Sequence, residues 1–157
     1  MLSNYQLLYL TTHHECTQDN LDGIYSFDHI PEYPSKYPSF WIINNEVEGK
    51  TGEHWFGCFF PDKHQASEMF CSFGRDPEYY SSELGDKLKR IGNGKYKYNT
   101  VQVQADHSKA CAYFVLYYVD LRCRGLTYEQ CMNNMSKNDL DLNEQVVTTY
   151  VKKHMAV

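Results

Sequence analysis

The chain has no stretch of about eighteen consecutive apolar residues, the length a membrane-spanning helix needs. Its N-terminal residues turn polar within the first turns and lack the apolar centre of a signal peptide. It is therefore expected to be intracellular, with no membrane partner. The six cysteines, at positions 16, 58, 71, 111, 123 and 131, lack the paired short spacings of zinc knuckles and disulfide frameworks, so free thiols are the default. Positive charge is scarce: 15 Lys and Arg stand against 20 Asp and Glu, a formal net charge of −5. That excludes a dedicated nucleic-acid binder, because phosphate contacts need clustered Lys and Arg. One local basic group, Lys87, Lys89, Arg90, Lys95 and Lys97, reads as a solvated helix face and loop. There are no internal repeats and no low-complexity tract. What is present is 157 residues with 42% hydrophobic content and 14 tyrosines, enough for one domain, 1–157, with a real core.

Local patterns then suggest the elements. Ser3 is placed to cap a short helix carrying Leu7, Leu8 and Leu10, followed by a polar break over 11–20. Residues 28–38 contain three prolines and two tyrosines and read as a loop that can rim a groove. Phe40-Trp41-Ile42-Ile43 predicts a strand over 39–45, and 46–53 a turn with Gly49 and Gly52. Strands over 54–60 and 67–73, separated by Pro61-Asp62-Lys63-His64, predict a hairpin. Asp76-Pro77 opens a helix running to about Ile91, weakened at Gly85 and closed by Gly92. Residues 95–104 alternate with a change of parity, which predicts a strand with a bulge that ends on Gln104. The segment 108–124 is apolar over most of its circumference and should be a centrally buried helix ended by Gly125. Capping boxes at Thr127–Gln130 and Asp141–Glu144 predict two further helices. Helices on a mixed or antiparallel sheet make an α+β domain.

Chemistry concentrates between 101 and 111. A cysteine in the first turn of a helix meets unpaired backbone N–H groups and the positive end of the macrodipole, which favour thiolate, so Cys111 is the candidate nucleophile. Gln104, seven residues earlier, is an uncharged donor suited to an oxyanion. His54, at the edge of a strand, is the candidate base. His107 is an alternative base, although it would have to fold over its own helix start. His13, His14 and Cys16 have a crude metal-ligand spacing, but with no fourth ligand evident an exposed polar loop is the simpler reading. No metal or other cofactor is expected.

The order His, Gln, Cys is the reverse of papain-like enzymes. It resembles that of the adenovirus-type (adenain-like) cysteine endopeptidases, relatives of the ubiquitin-like-protein proteases. The resemblance is carried by Gly23-Ile24-Tyr25, Gly52-Glu53-His54-Trp55, Phe70-Cys71-Ser72-Phe73-Gly74 and the span from Gln104 to Cys111. The helix that starts at Cys111 and the Arg122-Cys123-Arg124-Gly125 after it resemble the proteases of Maverick/Polinton elements and adintoviruses. The resemblance implies a papain-like core in which a buried helix starts at the nucleophile. It places Cys111, His54 and Gln104 in catalysis and Gly52, Glu53 and Trp55 along the substrate groove. It further implies a monomeric endopeptidase that cleaves viral capsid or core precursors at glycine-containing sites, in the virion and the host nucleus or cytoplasm. The alternatives are a deconjugating protease for ubiquitin-like proteins and a catalytically weakened protease fold retained for binding. Adenoviral relatives use DNA and a tethered peptide as activators. Asn93 stands where their peptide-tethering cysteine would be, so a covalent peptide is not expected.

One departure matters. The family has an acid where this chain has Cys71, and a neutral thiol cannot orient an imidazole and offset its charge as a carboxylate does. Three readings stay open: a Cys–His dyad or water-bridged arrangement, Asp76 as substitute acid, or an impaired enzyme. Glu68, an odd number of residues from Cys71, should point to the opposite sheet face.

Overall fold

The computed structural model describes residues 2–45 and 54–155. A five-stranded mixed sheet runs in sequence order: β1 (Leu21–Ser26), β2 (Ser39–Asn44), β3 (Trp55–Phe60), β4 (Ser67–Phe70) and β5 (Tyr96–Tyr98). The outer pairs β1·β2 and β4·β5 are parallel and the inner pairs antiparallel. Every residue of β2, β3 and β4 is buried, because helices cover both faces of the sheet. Such strands read as nearly continuous apolar runs, and strand parity sorts their side chains between two cores. Phe40, Ile42, Trp55, Phe59 and Phe70 join one core with α1 (Asn4–Thr12), α5 (Cys111–Cys123) and α7 (Leu140–His154). Trp41, Ile43, Phe56, Cys58, Phe60 and Met69 pack on the other face against α4 (Ser82–Ile91). This is the α+β arrangement expected from sequence, with the helix that starts at Cys111 central to it. At Gly57 a side chain would have its Cβ 3.1 Å from Val115, so the glycine lets α5 lie close against β3.

The differences from the sequence reading have local causes. Ser3 does cap α1, in a capping box with Gln6, but the helix continues through Thr12 and a short α2 (Glu15–Gln18) follows where a polar break was expected. β1 was not anticipated as a strand: Asp22 and Gly23 suit strands poorly, and tertiary contacts override them. The Asp22 carboxylate accepts from Trp41 Nε1 at 2.7 Å, at a register shift between β1 and β2. The helix opened by Asp76-Pro77 is interrupted at Ser81, which takes extended backbone and caps the next helix, giving α3 (Pro77–Tyr80) and then α4. β5 is only three residues long, so Gln104 sits in irregular chain rather than at a strand end. α6 (Tyr128–Asn133) has the expected Thr127 capping box, whereas α7 is capped by Asp139, two residues earlier than predicted. The expected turn at 46–53 lies outside the described residues.

Glu68 faces α5, away from the Cys71 side. There it accepts from Arg122 Nη2 at 2.7 Å and Tyr118 Oη at 2.6 Å, with only 3% of its side chain exposed. Removing one partner from such a pair strands a buried charge. Arg122→Met should therefore lower unfolding stability by about 3–5 kcal/mol in urea titrations, with part of the loss recovered in Glu68→Gln/Arg122→Met. Losses in Glu68→Gln and Arg122→Met that simply add up in the double variant would show that the pair is not coupled.

Candidate active site

α5 begins without a side-chain cap: Ala110 is its N-cap residue and offers no acceptor. The first-turn N–H groups that a cap would satisfy are left for other acceptors. Those of Cys111 and Ala112 act on the Cys111 sulfur, together with the N–H of Trp55, whose nitrogen is 3.4 Å from it. Since Trp55 begins β3, the thiol is held between the start of the helix and the start of the strand, and His54 directly precedes that strand.

These donors do not make Cys111 a resting thiolate. Burial pushes its thiol up from the ordinary cysteine value and outweighs the backbone hydrogen bonds, in contrast to the thiolate expected from the helix start. His54 is likewise held neutral: burial, then the nearby Arg75 cation, lower its pKa from 6.5 to about 4. The ring lies between Phe73 (centroids 4.8 Å) and Tyr80 (6.2 Å, stacked). The closed site thus holds a neutral thiol and a neutral imidazole.

His54 Nε2 lies 3.3 Å from the Cys71 sulfur, and His54 Nδ1 is buried without a hydrogen-bond partner among the described residues. Cys71 therefore faces the imidazole from the position where the resemblance has an acid. Its sulfur also meets Tyr80 Oη at 3.0 Å. Asp76 is not brought to His54. Its carboxylate caps α3 through the Glu78 N–H and accepts from Tyr96 Oη at 3.0 Å. Tyr80 and Arg75 instead surround the Cys71–His54 contact, and neither was singled out in the sequence. Both lie just past Phe73-Gly74, where only chain reversal brings them back.

Asn99 ties this strand end to the rest of the site. Its side-chain amide accepts from Cys71 N at 3.0 Å and donates to Cys71 O at 2.6 Å, continuing the ladder beyond the end of β4. The N–H groups of Val103 and Gln104 then bond Ser72 O at 2.8 and 3.0 Å. Gln104 is thereby fixed beside the strand end. Its Oε1 accepts from Ser72 Oγ, and its Nε2 donates to Ser108 O and Oγ, each at 3.1 Å. Ser108 Oγ in turn donates to Glu144 on α7. The amide expected to serve an oxyanion is fully engaged at rest.

The remaining expected residues are dispersed. Trp55 is 1% exposed, with its ring in the core beneath α5, so its backbone rather than its indole faces the site and it gives a groove no surface. Gly52 and Glu53 lie outside the described residues. His107 is 80% exposed and 3.8 Å from Asp141. Within the basic group, Lys87 and Arg90 pair with Glu32, Lys89 with Glu78, and Lys97 with Glu129. No described helix is long and apolar enough to cross a membrane.

No family model matches the chain, and no curated protein does. Among solved structures it is similar to ASFV pS273R protease, in a selenomethionine form (17% identity, TM-score 0.46, 74% of this chain and 43% of that one). A second structure of that protease gives 17% identity and a TM-score of 0.47, over 74% and 42% of the two chains. The chain thus spans less than half the length of the proteins it matches, and its site has to be read from its own geometry.

The lowered His54 pKa has a pH consequence with a definite sign. Between 6.5 and about 4 the unfolded chain takes up a proton that the folded imidazole refuses. Stability is therefore full above that window and falls as pH drops through it. Thermal melts of wild type and His54→Gln across the window should show a shallower fall in the variant; parallel curves would mean His54 titrates normally.

Proposed function

We propose that the protein is a cysteine endopeptidase with Cys111 as nucleophile and His54 as base. The observation that carries this reading is the convergence at the uncapped start of α5. There the Cys111 thiol meets the Trp55 N–H at the start of the helix, and the adjacent histidine has one ring nitrogen on Cys71 and the other without a partner among the described residues.

In this mechanism the Cys111 thiol gives its proton to His54 Nδ1 as the sulfur adds to a peptide carbonyl carbon. The carbonyl π pair moves onto oxygen, where the N–H of Cys111 and the Gln104 amide stabilise it. The C–N bond then breaks and His54 returns the proton to the leaving amine. Water, activated by His54, releases the acyl group from sulfur. Charge separation, imidazolium against oxyanion, arises only with the substrate in place, because thiol and imidazole are both neutral at rest. Gln104 must exchange one bond to Ser108 for the oxyanion.

The substrates in this reading are polypeptides, cut at glycine-containing sites of viral or transposon-encoded precursor proteins, as the family resemblance implies. A second reading, a weakened protease fold kept for binding, draws on a specific feature: a thiol, itself in contact with Tyr80 Oη, rather than a carboxylate faces His54 Nε2, with Arg75 nearby to disfavour the imidazolium.

Cleavage of a panel of glycine-containing precursor peptides tests the proposal, with a Gly-Gly thiol probe separating a deconjugase. Cys111→Ala should abolish turnover with circular dichroism unchanged; turnover surviving in that variant would overturn the assignment. Gln104→Ala should lower kcat about 10²- to 10³-fold with little change in KM. The reverse pattern would move Gln104 to substrate binding.

Cys71→Asp should raise activity. Its carboxylate could accept from His54 Nε2–H and Tyr80 Oη while the Arg75 charge offsets the new one. Unchanged or lower turnover in a folded variant would mean that the site works as a dyad.

A further inference from the structure

A second cluster of chemistry-bearing side chains lies along α5, about nine residues and so about 13 Å beyond Cys111. His13 turns away to stack on Tyr9 at 4.0 Å, but His14 and Cys16 face α5 and meet Asp120. The ligand atoms of these three residues all lie within 4.8 Å of one another. A tetrahedral zinc site with bonds of about 2.0–2.3 Å has its ligand atoms roughly 3.3–3.8 Å apart, so small side-chain shifts suffice.

The carboxylate of Asp120 points to a ligand. The residue is completely buried, and its two oxygens are treated differently. Oδ2 is held by Arg124 Nε at 2.9 Å and by Tyr150 Oη. Oδ1 has His14 Nε2 as its neighbour at 2.9 Å and no hydrogen bond among the described residues. Oδ1 thus lacks a dedicated donor, since its one neighbour is a ring nitrogen that also lies 3.2 Å from Arg124 Nη2. Such a carboxylate is what a metal ligand looks like when its other oxygen is fixed by second-shell donors.

We propose that His14 Nε2, Cys16 Sγ and Asp120 Oδ1 bind a zinc-class divalent cation. The imidazole, thiolate and carboxylate together suit zinc, and the two anionic ligands balance its charge. Arg124 and Tyr150 orient the carboxylate. The Arg124 Nη2 contact to His14 Nε2, at 3.2 Å, gives way to the ion. The half-buried His14 and Cys16 open the fourth position to water. The ion ties the chain before β1 to α5, and this site is independent of the thiol chemistry proposed above.

The test uses the full chain carrying Cys111→Ala, so that the candidate active-site thiol cannot contribute, after stripping with a chelator. Titration with Co²⁺ should give one equivalent and a sulfur-to-cobalt charge-transfer band. Zn²⁺ should displace it and raise the melting temperature. Loss of second-shell partners alone weakens metal sites about 10–100-fold, so Cys16→Ser and His14→Gln should each weaken Zn²⁺ binding at least tenfold. Cys16→Ser should also abolish the charge-transfer band, whereas Cys58→Ser, in the opposite core, should change neither. No stoichiometric binding, or binding indifferent to His14 and Cys16, would overturn the proposal and leave an ion pair only.

Discussion

Everything at the candidate site depends on how α5 lies against β3. The helix is apolar around nearly its whole circumference, with ten of its residues buried, so it can be stable only as the centre of a core. That burial sets the height of Cys111 relative to Trp55 and therefore the approach of a strand N–H to the sulfur. Gly57, two residues along the strand, gives the clearance that makes the approach possible. A polar or bulky residue anywhere on this seam would be felt as a displaced sulfur before it was felt as an unfolded protein.

The same burial acts against ionisation. Backbone donors at the helix start stabilise a thiolate, but desolvation acts on the whole charge and wins. The resting site is consequently uncharged at Cys111 and His54, and its polar contacts form a closed set in which Ser72, Gln104, Ser108 and Glu144 satisfy one another. In the proposed mechanism a substrate carbonyl enters by exchanging bonds with this set.

Much of the architecture was legible because its signals are local. The Ser3 cap of α1, the capping box of α6, the proline after Asp76 and the all-round apolar segment from 111 to 123 each depend on residues within one or two turns. β1 was not, because it is held by β2 rather than by its own propensity, and β5 was expected but forms over three residues only. In the site, the order of His54, Gln104 and Cys111 could be read directly. The surroundings of the imidazole could not: Tyr80, Arg75 and Asn99 carry no motif, and the hydrogen bond that Asp76 accepts from Tyr96 is invisible in one dimension. The Asp120 cluster joins residues more than a hundred positions apart, beyond any spacing rule.

The Asn99 clamp has a consequence for how this site can change over evolutionary time. Its amide reads only the backbone of Cys71, one bond to the N–H and one to the carbonyl, and so is indifferent to the side chain there. Position 71 is thus a socket whose frame is guaranteed independently of its occupant. A lineage can exchange carboxylate for thiol, or the reverse, without rebuilding the strand end or moving Gln104, and the surroundings of the imidazole can drift while the geometry around it stays put.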